Sequence, residues 1–475
     1  MDQTLLMQIP KVDVLLAEKS LVQMEKDYTY DQLKDAARSY LQNLREGVIR
    51  GDITSIGSVS EVASQVAARL TRRGAYSLRQ VVNATGVVLH TNLGRAPLGK
   101  EIAQHVADVA MGYSNLEYNL DRGERGSRYN HIEKIICEIT GAEAAMVVNN
   151  NAGAVFLMLN TLCKGQGVAV SRGEQVEIGG SFRIPEIMVQ SGARLIEVGT
   201  TNKTHERDYA RAISEEGAQA LLKVHPSNFM MVGFTENVSV AQLSVLAHDS
   251  GALVLYDMGS APLFPNEVQG LDNQETIRGV LKDGADVVCF SGDKLVGSAQ
   301  GGILVGRREL IERIRANQLT RMLRIDKLSL AALEMTMQMS REPKLAQQEV
   351  PVVHMLSMSA EKLKVKAEAM EAAIDQAVPE VVHEVVAVQD ETGGGSLPGI
   401  MLDGYAVSIS VPGLDPNQLE EQLRHAQVPI VARVSREHVL LSARTIMDGD
   451  VELVCRALAT VVQEAAGAPS GGGVQ

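Results

Sequence analysis

The stretch Cys289-Phe290-Ser291-Gly292-Asp293-Lys294-Leu295-Val296-Gly297 changes abruptly from apolar to small polar residues and a lysine. It continues an apolar, β-prone run that begins at residue 285, and a further apolar run, residues 301–305, follows at once. This pattern predicts a buried strand, a tight turn and a second buried strand, with Lys294 at the mouth of the turn. Because a lone lysine after a strand is usually a solvated surface residue, its meaning depends on its partners.

A second apolar strand ends on a carboxylate, in Leu253-Val254-Leu255-Tyr256-Asp257. A lysine that can form a Schiff base and an aspartate that can pair with a pyridinium nitrogen are the main contributions of a protein to pyridoxal phosphate chemistry. The two stretches together therefore predict a pyridoxal phosphate site with Lys294 and Asp257 as its centre. The alternative role for Asp257 is a helix cap, a position that Asp favours.

Short apolar strands alternate with helical segments over residues 81–345. The strands are predicted at residues 144–148, 167–170, 194–198, 220–224, 252–256 and 286–290. Near-continuous apolar strands separated by helices indicate an α/β fold with a mainly parallel sheet covered on both faces. Functional residues of such sheets gather at the carboxyl ends of the strands, so we expect Asp257, His225 and Lys294 at one edge.

The remaining segments differ from residues 81–345 in hydrophobic pattern and composition. Residues 1–80 have apolar residues at helical spacing and form a small N-terminal helical module. Residues 346–464 mix alternating strands with helices, which is typical of a small C-terminal α+β domain. Residues 465–475, rich in Gly, Ala, Pro and Ser, are predicted to be a disordered tail.

Composition restricts the function classes. The 475-residue chain has a net charge of −13, which argues against non-specific nucleic-acid binding by the whole surface. Residues 1–80 hold 11 Lys and Arg against 10 Asp and Glu, so this part repels a polyanion less than the rest. The four cysteines show no CxxC spacing, which disfavours a zinc site or a disulfide framework. We expect a cytoplasmic protein without a signal peptide or membrane segment.

Several further residues are candidates for cofactor binding. Asn151, Ala152 and Gly153 follow a strand and open a helix, where backbone N–H groups reach a phosphate; a plain strand-to-helix turn has the same appearance. Ser291 precedes Lys294 by three residues and offers a hydroxyl to that phosphate. His225 follows a strand and lies over the cofactor ring or relays protons, although a structural histidine is equally compatible with the sequence.

Arginines form a second group of candidates. Arginine suits bidentate binding of phosphate, so several of them together predict a site for an anionic substrate, whereas each alone is an ordinary surface residue. Those on the main part of the chain are Arg95, Arg128, Arg321 and Arg324, of which the last two share a face if they lie on one helix. The N-terminal module carries Arg69, Arg72 and Arg73 at the end of a predicted helix, where they complement the helix dipole or contact a nucleic-acid backbone.

Four stretches resemble the bacterial selenocysteine synthase family, the L-seryl-tRNA(Sec) selenium transferases. They are residues 82–98 (VNATGVVLHTNLGRAPL), 171–185 (SRGEQVEIGGSFRIP), 291–295 (SGDKL) and 319–327 (LTRMLRIDK). The resemblance spans nearly the whole chain, including the N-terminal module. One departure is the turn Gly297-Ser298-Ala299-Gln300, where the family pattern has Gly-Gly-Pro-Gln.

The resemblance implies a fold-type-I pyridoxal phosphate enzyme, with Lys294 as the aldimine lysine that also transfers the substrate proton. It implies conversion of L-seryl-tRNA(Sec) to L-selenocysteinyl-tRNA(Sec) with selenophosphate, through an aminoacrylyl-tRNA. It further implies a homodecamer built as a pentamer of dimers, an N-terminal module that binds the tRNA, and a role in selenophosphate binding for Arg95, Arg128, Arg321 and Arg324.

Two other functions are compatible with the same framework. The first is a lyase or aldolase of this family that acts on a small phosphorylated amino acid or amino sugar; such relatives typically lack the N-terminal module, which this chain has. The second is a non-catalytic tRNA-binding relative, and the presence of both Lys294 and Asp257 argues against it.

Overall fold

A computed structural model describes residues 3–51, 53, 55–74, 76–264, 274–435 and 437–467, with the backbone alone at residues 68 and 71–74. The chain divides into two compact units, Met1–Gln80 and Val81–Gln475, which are considered separately below.

The first unit is helical. Its helices are α1 (Gln3–Gln8), α2 (Val12–Leu16), α3 (Lys19–Val22), α4 (Tyr30–Arg50) and α5 (Val59–Gly74). Helix α4 begins with a capping box between Thr29 and Gln32 and ends where Gly51 adopts a φ of 85°. A small core that includes Leu15, Leu21 and Leu33 holds these helices together. Arg69 is half-buried on α5, whereas the side chains of Arg72 and Arg73 lie outside the described residues.

The second unit contains a seven-stranded sheet. Its strands are β4 (Ala144–Val148), β5 (Gly167–Ser171), β8 (Arg194–Val198), β9 (Ala218–Val224), β10 (Leu253–Gly259), β11 (Val287–Ser291) and β12 (Gly302–Gly306). The spatial order is β4-β12-β11-β10-β9-β5-β8, and β12 runs antiparallel to both of its neighbours while the other pairs are parallel. The predicted α/β fold with a mainly parallel sheet is thus confirmed.

Both faces of this sheet are buried, which explains why its strands are continuously apolar. Along β4, Ala145 and Val147 pack into one core, whereas Met146 and Val148 pack into the core on the opposite face. The helices of this part of the unit are α6 (Lys100–Met111), α7 (Glu133–Thr140), α8 (Asn151–Leu162), α9 (Ile184–Gln190), α10 (Glu206–Ser214), α11 (Val240–Asp249), α12 (Ile277–Lys282), α13 (Arg308–Ala316) and α14 (Lys327–Met339). Two short hairpins lie outside the sheet, β2 (Tyr118–Asn119) with β3 (Glu124–Arg125) and β6 (Glu177–Ile178) with β7 (Phe182–Arg183).

A five-stranded sheet forms the C-terminal lobe. Its strands are β13 (Val382–Glu391), β14 (Met401–Ser410), β15 (Ile430–Ser435) and β16 (His438–Ser442), together with β1 (Val82–Ala84) from the other end of the unit. The β1 strand pairs in parallel with β15, so residues 82–84 belong to this sheet and not to the seven-stranded sheet beside which the sequence pattern placed them.

Five further α-helices are described in the second unit after α14: α15 (Pro343–Glu349), α16 (Pro351–Ser357), α17 (Ala360–Ala377), α18 (Pro416–Arg424) and α19 (Asp450–Gly467). Helix α19 continues through residues 465–467, which the composition had assigned to a disordered tail; the pair Ala465-Ala466 favours the helix. Residues 468–475 lie outside the described part. Among the described residues, no helix is long and apolar enough to span a membrane.

A buried ion pair connects the elements of the C-terminal lobe. Arg444 Nε donates to Asp390 Oδ2 at 3.0 Å, and both side chains are at most 2% exposed. The other nitrogens of Arg444 donate to the carbonyl oxygens of Met355 and Asp403, each at 2.7 Å. The guanidinium thus joins α16, β13 and β14 through charge-assisted hydrogen bonds.

Candidate active site

Lys294 and Asp257 meet at the carboxyl edge of the seven-stranded sheet. Strands β10 and β11 are parallel neighbours, and Asp257 is paired with Cys289 in their register. Lys294 follows the end of β11 by three residues, so the chain returns it to the edge where Asp257 lies. The two residues are 5% and 3% exposed, respectively, which excludes the ordinary role of a lysine in a surface turn.

The carboxylate of Asp257 is held by three donors. Its Oδ1 accepts hydrogen bonds from Asn151 Nδ2 at 2.8 Å and from the backbone N–H of Gly259 at 3.0 Å, with Cys289 Sγ at 3.9 Å. Burial raises the pKa of Asp257, while the Asn151 hydrogen bond and the positive charge of Lys294 oppose this effect. A buried carboxylate with these donors is suited to pair with a cationic ring nitrogen.

Burial and a neighbouring charge prepare the amine of Lys294 to act as a nucleophile. Burial lowers the pKa of Lys294, and the positive charge of Arg95 lowers it further, whereas the charges of Asp257 and Asp293 act in the opposite direction. A lowered pKa increases the fraction of neutral amine, which is the form that attacks a carbonyl group. Arg95 itself is bound to Asp293 at 2.7 Å and adopts a φ of 63°, a strained conformation of the kind that clusters at functional sites.

Internal hydrogen bonds close the turn that carries Lys294. The N–H of Gly297 donates to the carbonyl of Lys294 at 2.8 Å, and the N–H of Ser298 donates to the carbonyl of Gly292 at 2.9 Å. In addition, the buried hydroxyl of Thr336 on α14 donates to Ser298 Oγ at 2.8 Å. Ser298, which departs from the family pattern, thus fixes the turn to a helix behind it.

His225 lies at the end of β9, next to Asp257. Its backbone N–H donates to the carbonyl oxygen of Asp257 at 2.9 Å, and its Nδ1 atom is buried without a partner among the described residues. Burial lowers the pKa of His225, and the charges of Lys223 and Lys294 lower it further, against the opposing charge of Glu275. The neutral imidazole is therefore favoured at physiological pH.

The turn between β4 and α8 has a different arrangement from the predicted one. The side chain of Asn150 caps α8 and accepts the N–H of Gly153 at 2.7 Å, which leaves the N–H groups of Asn151 and Ala152 without an intrahelical acceptor. The side chain of Asn151 binds Asp257, so this residue contributes to the ring end of the site as well as to the helix N-terminus.

Unsatisfied polar atoms test whether pyridoxal phosphate fits these residues. Buried polar groups normally have hydrogen-bond partners, so a cluster without them indicates a site for a polar ligand. Around the lysine turn and the adjoining strand ends, the described side-chain atoms that are buried and unpartnered are Arg95 Nε, Asn149 Oδ1, Asn151 Oδ1, Gln175 Nε2, His225 Nδ1, Ser227 Oγ and Thr392 Oγ1. With an amine, a carboxylate and open N–H groups beside them, the residues present fit the cofactor. Ser291, buried at the end of β11, precedes Lys294 by three residues.

The structure separates the four arginines that are candidates for substrate binding. Arg95 forms an ion pair with Asp293, the residue before Lys294. Arg128 and Arg324 instead both pair with the carboxylate of Glu117. Arg128 is 7% exposed, donates to Glu117 at 2.7 Å and also binds the carbonyl of Ile325. Arg321 is exposed.

Arg321 and Arg324 do not lie on one helix, so they do not share a helix face. Arg321 ends a short 3₁₀ helix (Gln318–Arg321), and Arg324 forms an isolated β-bridge with Val148. This bridge continues the pairing at the edge of β4 beyond Val148. The N–H of Asn149 donates to the carbonyl oxygen of residue 323 at 2.9 Å.

A glycine loop of the C-terminal lobe completes the surroundings of Lys294, and the sequence motifs did not identify it. Gly393, Gly394 and Gly395 have φ values of 70°, 62° and 70°. A Cβ atom on Gly395 would lie 3.8 Å from Lys294 Nζ. The loop is anchored by the hydroxyl pair Ser260–Ser396 at 2.6 Å. The signal that could have revealed it is the run of three glycines between two strands, which permits a close approach of the backbone.

Comparisons with known proteins agree with this geometry. A family model described as "SelA: L-seryl-tRNA selenium transferase" matches residues 81–447. The chain is 45% identical over 459 residues to the L-seryl-tRNA(Sec) selenium transferase of Geobacter sulfurreducens, covering 96% of this chain and 99% of the relative. It is 42% identical over 450 residues to the protein of the same name from Caldanaerobacter subterraneus subsp. tengcongensis, with 95% and 97% covered.

A solved structure shows the same fold. D-glucosaminate-6-phosphate ammonia-lyase superposes with a TM-score of 0.56 at 21% sequence identity, covering 82% of this chain and 97% of that chain. The fold is that of fold-type-I pyridoxal phosphate enzymes, as predicted. Selenium transferases of this kind depend on pyridoxal phosphate, in accord with the predicted cofactor. From the match over residues 81–447 and the near full-length identity to its relatives, the chain belongs to the L-seryl-tRNA selenium transferase family.

Proposed function

We propose that this protein converts L-seryl-tRNA(Sec) to L-selenocysteinyl-tRNA(Sec) with selenophosphate as the selenium donor. The observation that carries the proposal is the buried pair of Lys294 and Asp257, at the carboxyl edge of the sheet, in a chain of this family. In the net reaction the Cβ–O bond of serine breaks and its hydroxyl leaves as water, while a Cβ–Se bond forms. The P–Se bond of the donor breaks as a water oxygen bonds to phosphorus, and phosphate leaves.

The chain's own residues move the protons of this reaction. When bound, pyridoxal phosphate supplies an electron sink next to the serine Cα atom. Lys294 would hold the cofactor in the resting enzyme, and its Nζ, once released as a neutral amine, would take the α-proton of the seryl group. Asp257 holds a proton at the ring nitrogen, and Asn151 orients the carboxylate for this task. Burial and the positive charge of Arg95 both lower the pKa of Lys294, which favours its action as a base.

The remaining cofactor contacts follow from the free polar groups. The N–H groups of Asn151 and Ala152, in the helix turn that contains Gly153, would bind the phosphate together with the hydroxyl of Ser291. His225 would interact with the ring or its oxygen substituent as a neutral imidazole, since its Nδ1 atom has no protein partner among the described residues.

The arginines are proposed to bind the selenium donor. The α-carboxylate of the substrate is esterified to tRNA, so it needs no cationic partner, and the arginines are free to bind an anionic donor. Arg95 is next to Lys294, and Arg321 is exposed. Arg128 and Arg324 share the carboxylate of Glu117, which keeps both guanidinium groups in place until a phosphate-like anion competes for them.

The N-terminal unit is proposed to bind the tRNA. It is a compact body by contact pattern, and its charge is close to neutral while the rest of the chain is acidic. Arg69, Arg72 and Arg73 would contact the phosphate backbone. A substrate that is an aminoacyl-tRNA also agrees with a cytoplasmic location.

A homodecamer, built as a pentamer of dimers, is proposed for the assembly. Apolar side chains that a monomer would leave in water support association: on one segment Met111 and Tyr113 are 77% and 110% exposed, and on another Val232 and Phe234 are 80% and 88% exposed. Such patches mark surfaces that bind other proteins, and a second copy of this chain would cover them.

An assay of both reaction classes tests the proposed function. Purified protein loaded with pyridoxal phosphate is mixed with seryl-tRNA(Sec) and selenophosphate, and selenocysteinyl-tRNA is measured by mass spectrometry of the released amino acid. A panel of phosphorylated amino acids and amino sugars is tested in parallel. We expect selenocysteinyl-tRNA from the reaction with seryl-tRNA(Sec) and selenophosphate, and no turnover of the panel compounds. Turnover of a panel compound without any selenocysteinyl-tRNA would identify a lyase or aldolase, and tRNA binding without either reaction would identify a non-catalytic relative.

A further inference from the structure

A cavity of about 440 Å³ adjoins the Lys294 site. It lies beside the carboxyl ends of β5 and β9, and its wall includes His225 from β9 and Leu397 and Ile400 from the segment after the glycine loop. Lys294 and Asp257 do not line it. His225 links the two spaces, because its backbone binds the carbonyl of Asp257 at 2.9 Å. Leu397 likewise follows Gly395, the glycine next to Lys294 Nζ, by two residues.

The charges around this cavity exclude the selenium donor as its occupant. Its lining carries the carboxylates of Glu174, Glu236 and Glu275, against the two ammonium groups of Lys203 and Lys223. Lys223 is already paired with Glu174 at 3.2 Å, so it has little charge to offer a ligand. A multiply charged anion would meet a surplus of negative charge there, which disfavours binding.

The same lining suits a neutral ligand with an apolar face and several hydrogen-bond donors. Phe229, Met230 and Ile400 contribute the apolar part of the wall. Carboxylates such as Glu275 accept hydrogen bonds from amino and hydroxyl groups. A nucleoside combines these properties, since its base stacks on aromatic or apolar side chains and its edge and ribose donate hydrogen bonds.

If the proposed function is right, the substrate itself brings a nucleoside close to Lys294. In seryl-tRNA the amino group and the ribose oxygen are separated by three bonds, roughly 4 Å in all. When the serine amine is at Lys294, the terminal adenosine must therefore lie within a few ångströms of it. The volume of the cavity falls in the range of about 300–1,000 Å³ that is usual for small-molecule sites.

We propose that this cavity binds the terminal adenosine of the aminoacyl-tRNA, so that the nucleoside positions the seryl ester at Lys294. This inference rests on the proposed function. It assigns the choice of an aminoacyl ester over a free amino acid to Phe229, Ile400 and the acidic part of the lining, at a site separate from the arginines.

A pair of small probes tests the adenosine site on the full-length, cofactor-loaded protein. The first probe is adenosine with L-serine joined to a 3′-amino group through a stable amide, and the second is L-serine methylamide, which lacks the nucleoside. We expect the wild type to bind the first probe at least roughly tenfold more tightly, from base stacking, in calorimetric titrations. Equal affinity for the two probes would overturn the proposal.

Three variants locate the effect. Ile400→Trp fills the cavity and Phe229→Ala removes an aromatic wall, so both should lose the advantage of the nucleoside probe. Val245→Trp, at a position that is 66% exposed on α11, is the matched control and should keep it. The absorption band of the bound cofactor verifies that each variant is folded. If the advantage persists in both cavity variants, the adenosine lies elsewhere.

Turnover separates this inference from the proposed function. A wild type that makes no selenocysteinyl-tRNA contradicts the proposed function itself. A wild type that makes it, with KM for seryl-tRNA unchanged in both Ile400→Trp and Phe229→Ala, contradicts the adenosine site alone. A raised KM in both variants with a normal value in Val245→Trp supports the site.

Discussion

The pKa of Lys294 depends on the two residues of the ion pair Arg95–Asp293, whose charges act in opposite directions. The charge of Arg95 lowers the pKa of Lys294, and the charge of Asp293 raises it. Because the neutral amine captures the cofactor, the rate of capture by the apoprotein should rise with pH, with a midpoint below the ordinary lysine value of 10.5. Arg95→Leu should move this midpoint to higher pH, and Asp293→Asn should move it to lower pH. Stopped-flow absorbance after mixing with pyridoxal phosphate gives the profiles.

A matched control for these profiles is Arg424→Leu on α18, an arginine paired with Glu420 at the surface. Its profile should coincide with that of the wild type. Shifts of the same sign in Arg95→Leu and Asp293→Asn would mean that packing, and not charge, sets the reactivity of Lys294.

The sequence predicted the position of single residues correctly where they directly follow a recognisable strand. Lys294 and Asp257 each follow an apolar run directly, so a parallel sheet brings them to one edge. Partners on distant segments were not predictable in this way. The sequence did not indicate that the side chain of Asn151 binds Asp257, or that Arg128 is buried against Glu117. Both outcomes depend on which side chains the tertiary structure brings together.

At the scale of elements, the glycine loop offers a graded prediction. Gly394 has a positive φ, and a Cβ atom there would overlap the carbonyl oxygen of Leu89, whereas Gly449 has a positive φ with no atom within 4 Å. Gly394→Ala should therefore lower the free energy of unfolding by about 2–4 kcal/mol and reduce turnover, while Gly449→Ala should cost only about 1 kcal/mol. Urea denaturation measures both. Equal costs would show that the loop has room to move away from Leu89.

The seven-stranded sheet was predicted almost residue by residue because its strands are buried on both faces and read as continuous apolar runs. The short β1 strand has no such signal, since three residues carry no periodicity, and its pairing with β15 is a long-range contact. Arg321 and Arg324 do not share a helix face, because the backbone at Arg324 pairs with the edge of β4.

At the scale of the molecule, the Arg444–Asp390 pair stabilises the C-terminal lobe. Removing one partner leaves the other charge buried and unpaired, so Arg444→Met should lower the free energy of unfolding by about 3–5 kcal/mol. The control Arg424→Met breaks the exposed pair with Glu420 and should cost less than about 1 kcal/mol. Thermal unfolding followed by circular dichroism compares them. A small loss in Arg444→Met would indicate that water reaches Asp390 in the variant.

The N-terminal unit is predicted to act on tRNA and not on the cofactor. A chain that lacks residues 1–80 should keep the cofactor band, because the residues proposed to hold the cofactor belong to the second unit. Its affinity for seryl-tRNA(Sec), measured by filter binding, should fall by about tenfold or more as phosphate contacts are lost. An unchanged affinity would assign tRNA binding to the second unit.

The pairing of β1 with β15 has a consequence for how the protein is made. The N–H of Gly86, just after β1, donates to Thr445 Oγ1, which lies 359 residues further along the chain. At about 5–20 residues per second, the ribosome needs roughly twenty to seventy seconds to synthesise the intervening segment. For most of that interval β1 has no partner strand, because β15 begins only at Ile430, and Lys294 lacks the loop around Gly395 until that later segment has been synthesised. The nascent chain is therefore incompetent in catalysis until translation is almost finished, and a prematurely terminated chain would contain the reactive lysine without the enclosure that controls it.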